Sequence, residues 1–461
     1  MQEACGVVGV YDPGHDVVRP AFFGLYALQH RGQESVGIAT GDGETIRIRT
    51  AMGLVAQSFN EDDLAKLPGH VGIGHTRYST TGSSDIKNAQ PFVSQGPEIE
   101  VAIAHNGNLV NALELRDDLS RWGADITTGS DSETIAHLLS HAPAAEWQGR
   151  ISYAMGRLRG AYSLTIMTKS ELLGVRDPLG VRPLVIGTIN DGWVIASETC
   201  ALDHIGADFL REIDPGEAVL IDKDGMRTIY RKESDHGPAS CIFEHIYFAR
   251  PDSVLDGKLI YNSRMAMGAE LAKEYPVDAD MVIGVPDSAI AAAVGYSKES
   301  GIPYGEGLVK NRYVGRTFIS PDQRLRDLGV RTKFNPLSDI IKGKRLVVVD
   351  DSIVRGTTTP PVVNLLRKGG AVEIHLRVCA PPIMYPCHLG VDFPTRKELL
   401  AADKTEEEIK KFLGVDSLGY LSHEGLLASI ETPKSRMCMA CFTGNHPIPV
   451  QLEMDKLALE V

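Results

Sequence analysis

The chain has 461 residues, 43% of them hydrophobic and 23% charged, with a net charge of −13. That length suggests two to four domains, and the composition supplies enough apolar side chain for large cores. An acidic surface excludes general nucleic-acid binding by phosphate neutralisation, and no apolar run approaches the roughly 18 residues of a membrane span.

Taken from the N-terminus, the segment Met1–Asp12 lacks the basic and apolar regions of a secretory leader, so the chain reads as cytoplasmic. Cys5 follows four residues that look removable. As a cysteine in an apolar strand it can be inert core. If Met1–Ala4 is cleaved away, Cys5 gains an α-amine titrating near about pH 8, a general base beside its own thiol. Short apolar or alternating runs then recur up to about residue 230: SVGIAT, TIRIRT, HVGIGHTRYST, EVAIAHNG, AYSLTIMT, PLVIG, WVIAS and EAVLID. Gly, Asp and Pro separate them, as turns between strands require. AFFGLYALQHRGQ and SDSETIAHLLSH read as helices, the second opening on a capping box of Ser130 and Glu133. Stacked sheets with helices, an α+β arrangement, follow from this pattern.

Three short motifs in this half suit an amino acid with an acyl group. Arg77 can clamp an α-carboxylate in a bidentate pair. The Asn106 amide and the Gly107 backbone N–H can stabilise the oxyanion of a tetrahedral intermediate. Asp131, near a helix start, can accept a substrate ammonium. A surface ion pair, a turn and a helix cap are the bland alternatives for each alone.

Residues 231–240, RKESDHGPAS, are polar and aperiodic and form a candidate linker. Beyond them, continuous apolar strands alternate with helices: DMVIGVPDS before SAIAAAVGYSKESG, then RLVVVDD before TTTPPVVNLLRKGG, then EIHLRVCAPP. Such alternation predicts a parallel sheet covered on both faces, an α/β architecture. In LVVVDDSIVRGTTT, Asp350 and Asp351 end a strand, where open α/β sheets bind ligands. Gly356 then allows close approach, and Thr357, Thr358 and Thr359 open a helix whose free amides favour phosphate. Paired carboxylates suit sugar hydroxyls or magnesium, so the loop reads as a ribose 5′-phosphate site. The loop Pro286–Ser288 is either a second anion and magnesium segment or a plain strand-to-helix turn. Lys310, Arg312 and Arg316 lie around Tyr313 and Gly315, in a basic stretch that is either a solvated face or a lid over departing pyrophosphate.

Seven cysteines, Cys5, Cys200, Cys241, Cys379, Cys387, Cys438 and Cys441, make an odd, scattered set that argues against a disulfide framework. Cys438-x-x-Cys441, with Cys241 and Cys387, can hold zinc or an iron–sulfur cluster, or remain four buried thiols. Cys200 and Cys379 sit in apolar runs and read as core.

Together the motifs CGVVGVYD, LQHRGQES, HTRYST, HNGNL, SDSE, RDPLGVRPL, IYFARPDS, VKNRYVGRTFI and VVVDDSIVRGTTT resemble one family almost end to end. It is the glutamine phosphoribosylpyrophosphate amidotransferases, or amidophosphoribosyltransferases, of the propeptide-bearing iron–sulfur type. The resemblance implies a propeptide over 1–4 and a four-layer αββα class II glutaminase domain of the N-terminal nucleophile kind over 5–232. It also implies a type I phosphoribosyltransferase domain over 240–461 ending in a cluster-binding segment. Cys5 is then the nucleophile, Asn106 and Gly107 the oxyanion hole, and Arg77 and Asp131 the glutamine binders. Ser288, Asp350 and Asp351 are implied at one Mg2+ per subunit. Phosphoribosyl pyrophosphate falls to Lys310, Asp350, Asp351, Ser352, Arg355, Gly356, Thr357 and Thr358. A 4Fe–4S cluster falls to Cys241, Cys387, Cys438 and Cys441, and an interdomain ammonia channel to the neighbourhood of Tyr247–Arg250. Inhibitory purine nucleotides, a homotetramer, and no nucleic-acid or membrane partner complete the expectation. A non-catalytic nucleotide-sensing regulator on the same scaffold is the alternative, disfavoured because a sensor needs no nucleophile. An iron–sulfur redox sensor and a different glutamine-dependent synthase are further rivals, and the ribose-phosphate loop argues against the latter.

Overall fold

The structure, a computed structural model, describes residues 4–78, 82–311, 332–392, 395–449 and 459. Its first half is built on two antiparallel sheets. One has seven strands in the order Asp208–Glu212, Val185–Ile189, Gly192–Ala196, Gly6–Tyr11, Val71–Arg77, Ser35–Gly41 and Ile46–Met52. The other has six, in the order Gly225–Arg231, Glu217–Asp222, Leu172–Arg176, Gly160–Met167, Glu100–Leu109 and Phe92–Gln95. The two-residue period of a strand sends successive side chains to opposite faces. In Gly6–Tyr11, Val7 and Tyr11 join the apolar layer between the sheets, whose far side is Ala102, Ala104, Met167 and Leu172. Val8 and Val10 face outward, onto the helices Val18–Ala27 and Thr199–Ile205. Helices Ala112–Arg121, Asp131–Ser140 and Trp147–Arg157 cover the outer face of the second sheet. The result is four layers, helix–sheet–sheet–helix, in which the central strands of both sheets are buried on both faces.

Two predicted helical details are corrected. The run from Ala21 does not stay helical through Gln33. The helix ends at Ala27, and Gln29–Gly32 turns inward, carrying the Arg31 side chain into the core. The capping box at Ser130 is also not formed as read. Ser130 accepts from the Ser132 N–H at 3.3 Å, but Glu133 turns away to accept from the N–H groups of Thr127 at 3.1 Å and Thr128 at 2.8 Å. Those loop donors fold over the helix start and claim both carboxylate oxygens, which a single Ser130 N–H cannot match.

The second half holds a four-stranded, all-parallel sheet in the order Met281–Gly284, Arg345–Asp350, Glu373–Val378 and Ser417–Tyr420. Helices such as Ile260–Glu274, Ile290–Ser300 and Thr359–Lys368 pack around it. Its strands read as continuous apolar runs because helices bury both faces. The irregular stretch from Lys232 to Ala239 joins the halves, whose seam is dry: Ala161, Leu179 and Val181 pack with Ile242, Phe243 and Ile246. No described helix is long and apolar enough to cross a membrane.

Candidate active site

Cys5 immediately precedes a central strand of the first sheet and is buried. Its thiol donates to the Tyr78 carbonyl at 3.3 Å and accepts from the Tyr78 N–H at 3.5 Å. Burial pushes the thiol up from its ordinary value; the Tyr78 contact and the Arg77 charge pull it down, while Glu34 and Asp131 push it up. The expected glutamine-binding residues therefore lie within electrostatic reach of the sulfur. Arg77, last in its strand, donates to Glu34 at 2.5 Å and to the Ser83 carbonyl at 3.1 Å. Asp131 accepts from the Leu109 N–H at 2.9 Å, which ties the helix start to the Asn106–Gly107 strand.

Asn106 is buried, and its side-chain nitrogen has no hydrogen-bond partner among the described residues. Buried polar groups are rarely left unpaired, so a donor held this way asks for an acceptor from outside the fold. Gly107 is wedged beside it: a Cβ there would stand 2.0 Å from the Ala161 carbonyl oxygen. Beneath them, His75 donates through Nε2 to the His105 carbonyl at 3.0 Å, and His105 Nδ1 meets Ser132 Oγ at 3.0 Å. Burial holds the His75 ring at about 3, so it is neutral.

Sequence reasoning assigned no role to a buried charge network behind Cys5. Arg31 Nε donates to the Cys5 carbonyl at 2.9 Å, and the same guanidinium forks onto Glu244 at 2.9 and 2.8 Å and reaches Glu198 at 2.5 Å. Burial alone would raise Glu198, but His30 and Arg31 hold it well below the usual carboxylate range. Glu244 also takes Arg182 at 3.2 Å, and Arg182 lies over the Phe248 ring, 5.2 Å from its centre. Arg250 joins the halves too, donating through its N–H to Glu198 at 2.8 Å and through its side chain to the Ala27 carbonyl at 3.1 Å. Tyr247 and Phe248 thus belong to a segment, Glu244–Phe248, pinned at the seam where the channel was expected. The sequence signs were the motifs LQHRGQES, RDPLGVRPL and IYFARPDS, and nothing in their pattern distinguishes a buried arginine from an exposed one.

At the second site, Asp350 ends its strand and Asp351 follows. Withdrawal from water, and then the Asp351 charge, push the Asp350 carboxyl well above the usual range. Ser288 donates to Asp351 at 2.5 Å, and Ser352 donates to its other oxygen. Gly356 has φ +64°, and a Cβ there would stand 2.7 Å from Leu400. Thr358 is the N-cap of Thr359–Lys368 and makes no side-chain cap, so the helix starts one residue later than Thr357 and Thr358 suggested. Arg355 pairs with Glu398 at 2.7 Å and donates to the Asp392 carbonyl at 3.2 Å. Lys310 closes the strand Leu308–Lys310 and reaches Asp287 at 2.5 Å. Arg312, Tyr313, Gly315 and Arg316 lie outside the described residues.

Cys241, Cys387, Cys438 and Cys441 line one cavity of about 20 Å³, with Val181, Phe243, Leu389 and Val391 also in its wall. The parallel pairing of Cys241 with Cys438 sets two of them side by side. Burial pushes Cys241 up to about 11 and Cys438 to about 12, and Arg182 pulls both down. Among the described residues, no three histidine, cysteine, aspartate or glutamate side chains converge on a single-ion site. Cys200 and Cys379 are buried elsewhere, as expected.

Residues 75–204 match the model of the glutamine amidotransferase domain. An amidophosphoribosyltransferase of Synechococcus elongatus is 50% identical over 467 residues, covering 100% of this chain and 94% of that one. One from Archaeoglobus fulgidus is 49% identical over 453 residues, covering 97% and 98%. Among solved structures, the glutamine phosphoribosylpyrophosphate amidotransferase from B. subtilis complexed with ADP and GMP matches with a TM-score of 0.90 at 43% identity, covering 97% of this chain and 98% of that one. A structure described as the allosteric regulatory enzyme of purine biosynthesis matches with a TM-score of 0.91 at 42% identity, covering 99% of each.

Proposed function

Because the chain belongs to the amidophosphoribosyltransferase family, we propose that Cys5 is the nucleophile of a glutamine hydrolysis whose ammonia is consumed at the Asp350–Thr358 loop. The overall reaction is the family's: glutamine, water and phosphoribosyl pyrophosphate give 5-phosphoribosylamine, glutamate and pyrophosphate, the first step of de novo purine synthesis.

The observation that carries the residue assignments is a buried Asn106 side-chain nitrogen without a hydrogen-bond partner among the described residues, in the same domain as the buried Cys5 thiol. Burial keeps the thiol neutral while Met1–Ala4 precede it. Loss of those residues would give Cys5 an α-amine able to take the proton. The thiolate then attacks the glutamine carboxamide. Asn106 and the Gly107 N–H receive the developing oxyanion, the α-amine passes its proton to the nitrogen so that ammonia leaves as the thioester forms, and water then hydrolyses the thioester to release glutamate and restore the thiol. Arg77 takes the substrate α-carboxylate, exchanging its Glu34 contact for it, and Asp131 takes the ammonium. Ammonia crosses the seam by Tyr247–Arg250, since water would protonate it.

In the second half, the Arg355–Thr358 loop and the start of helix Thr359–Lys368 cradle the 5′-phosphate, and Asp350 and Asp351 orient the ribose hydroxyls. Ser352 steadies Asp351, and Lys310 meets the leaving pyrophosphate. Ser288, Asp350 and Asp351 are the donors for one Mg2+, whose chemistry is to neutralise pyrophosphate as it departs. The donor set fits: two adjacent carboxylates, one pushed towards protonation first by burial and then by the other's charge, gain from a divalent cation. Cys241, Cys387, Cys438 and Cys441 fit a 4Fe–4S cluster, which would be structural or oxygen-sensing because the reaction has no redox step. Seven free thiols suit a reducing, cytoplasmic compartment. Purine nucleotides as inhibitors and a homotetramer complete the reading, and the ADP and GMP of the B. subtilis complex support the former.

The test is glutamate release from glutamine, measured anaerobically with magnesium, with and without phosphoribosyl pyrophosphate. Strong stimulation by the ribose compound is the expected result. Cys5→Ala should abolish glutamine-dependent product while leaving ammonia-dependent product within about twofold. No glutamate from protein shown by mass to begin at Cys5 would overturn the assignment.

A further inference from the structure

One short segment of the second half, Cys387–Asp392, reaches back into the glutaminase half and lies directly behind the oxyanion-hole peptide. The Asn108 side chain donates to the His388 carbonyl at 3.0 Å. Arg182 donates to the carbonyls of Leu389 at 3.2 Å and Gly390 at 2.7 Å. Arg182 is itself fully buried and fixed by Glu244 and the Phe248 ring, so this hold is rigid. Gly390 has φ +97°, and a Cβ there would stand 3.2 Å from both the carbonyl carbon and oxygen of Gly107 and 3.3 Å from the Arg182 guanidinium. Gly107 is itself crowded: a Cβ there would stand 2.0 Å from the Ala161 carbonyl oxygen.

We infer that Gly390 and Arg182 are positioning residues for glutamine hydrolysis: together they fix the Gly107 carbonyl, and so the Gly107–Asn108 peptide, which is joined through the Gly107 Cα to the Asn106–Gly107 peptide whose N–H receives the oxyanion. The argument is steric and geometric. Gly390 packs on the Gly107 carbonyl with no room for a side chain between them; Gly107 lies in a strand, and Gly390 is clamped by a buried guanidinium. A methyl group at Gly390 must displace one of the two, and a donor moved by a few tenths of an ångström stabilises the oxyanion less. The half that performs the transfer thereby supplies the back wall of the site that makes ammonia, so the two activities share a structural element without sharing a substrate. The inference rests on the oxyanion-hole role proposed above for Asn106 and Gly107.

The experiment compares Gly390→Ala with the unaltered enzyme in three measurements: glutamine hydrolysis, ammonia-dependent phosphoribosylamine formation, and alkylation of Cys5 by iodoacetamide. Expected is a fall of about tenfold or more in kcat for glutamine at unchanged KM, a modest fraction of what losing a whole oxyanion donor costs. Ammonia-dependent turnover and alkylation stay within about twofold, because neither builds an oxyanion at Gly107. Arg182→Lys, which adds no bulk and keeps the charge but loses the second donor, should show the same split to a smaller degree. It carries the test if the alanine variant does not fold. Glutamine kcat within about twofold of the unaltered enzyme in the folded variants, or parallel loss of all three readouts, overturns the inference. Failure of the underlying reading is separate: the unaltered enzyme would then show no glutamine hydrolysis at all.

Discussion

The Asn106 side chain separates the chemistry proposed for a residue from its part in the fold. Its nitrogen is buried and bonds to nothing among the described residues, so removing it costs the fold no hydrogen bond from that atom. Asn106→Ala should therefore lower kcat for glutamine by about 10²–10³-fold while shifting stability by no more than about 1 kcal/mol. Denaturant melts beside glutaminase assays check both; a large stability loss would mean the amide is structural. Arg31 is the opposite case. It satisfies Glu244, Glu198 and the Cys5 carbonyl at once from full burial. Arg31→Met leaves two buried carboxylates without their main cation and should cost about 3–5 kcal/mol, measured as a lowered denaturation midpoint. Legibility in the sequence follows the same division. Cys5, Asn106–Gly107 and Asp131 could be proposed from the sequence because each stands in a short local motif, beside a strand, a turn or a helix start. Arg31, Glu198, Glu244 and Arg182 could not, because charge pairing across 62 to 213 residues of sequence leaves no local pattern.

Elements were legible where one period dominates. The strand Gly6–Tyr11 and the parallel strand Arg345–Asp350 were visible as apolar runs, and the helix Ile290–Ser300 as a run of small residues. Ends were less so, since tertiary contacts override local preference: the turn after Ala27 exists because Arg31 has partners in the core, and Glu133 left its cap for two loop amides. The loop before helix Thr359–Lys368 carries a prediction of its own. Gly356 adopts φ +64° against Leu400 and Phe412, a conformation and a space that admit no Cβ without displacement. Gly356→Val should therefore weaken phosphoribosyl pyrophosphate binding, raising its KM by about tenfold or more in the ammonia-dependent reaction, with glutamine KM unchanged. An unaltered KM for the ribose compound would remove this loop from the phosphate site.

At the scale of the whole molecule, burying both faces of two sheets forces several histidines out of water, and this sets how the protein responds to acid. His75 is held at about 3 and His245 at about 4, in each case chiefly by burial. His245 has Asp256 at 3.9 Å, with Glu244, Arg264 and Lys258 near, yet neither ring nitrogen has a hydrogen-bond partner among the described residues. The unfolded chain protonates these rings below about pH 6.5, whereas the folded chain cannot until far lower pH. Their contribution is thus fully present above about pH 6.5 and is lost as pH falls towards the folded values, by about 1.4 kcal/mol per pH unit for each ring. Asp177, pushed up to about 6 by burial, works the other way, binding a proton in the folded state before the unfolded one does. One such carboxyl offsets one ring, so the net slope alone is ambiguous and a variant is needed to isolate a single histidine. His245→Phe removes one titrating ring, keeps an aromatic of similar shape and breaks no hydrogen bond. Its stability should change little at pH 7.5, and between pH 6 and 4.5 its loss with acid should be shallower than that of the unaltered chain by about one proton, or about 1.4 kcal/mol per unit. Denaturant unfolding at half-unit intervals measures this directly. Parallel curves for the two proteins would mean that His245 finds a partner for its charge in the folded state and that burial does not govern it.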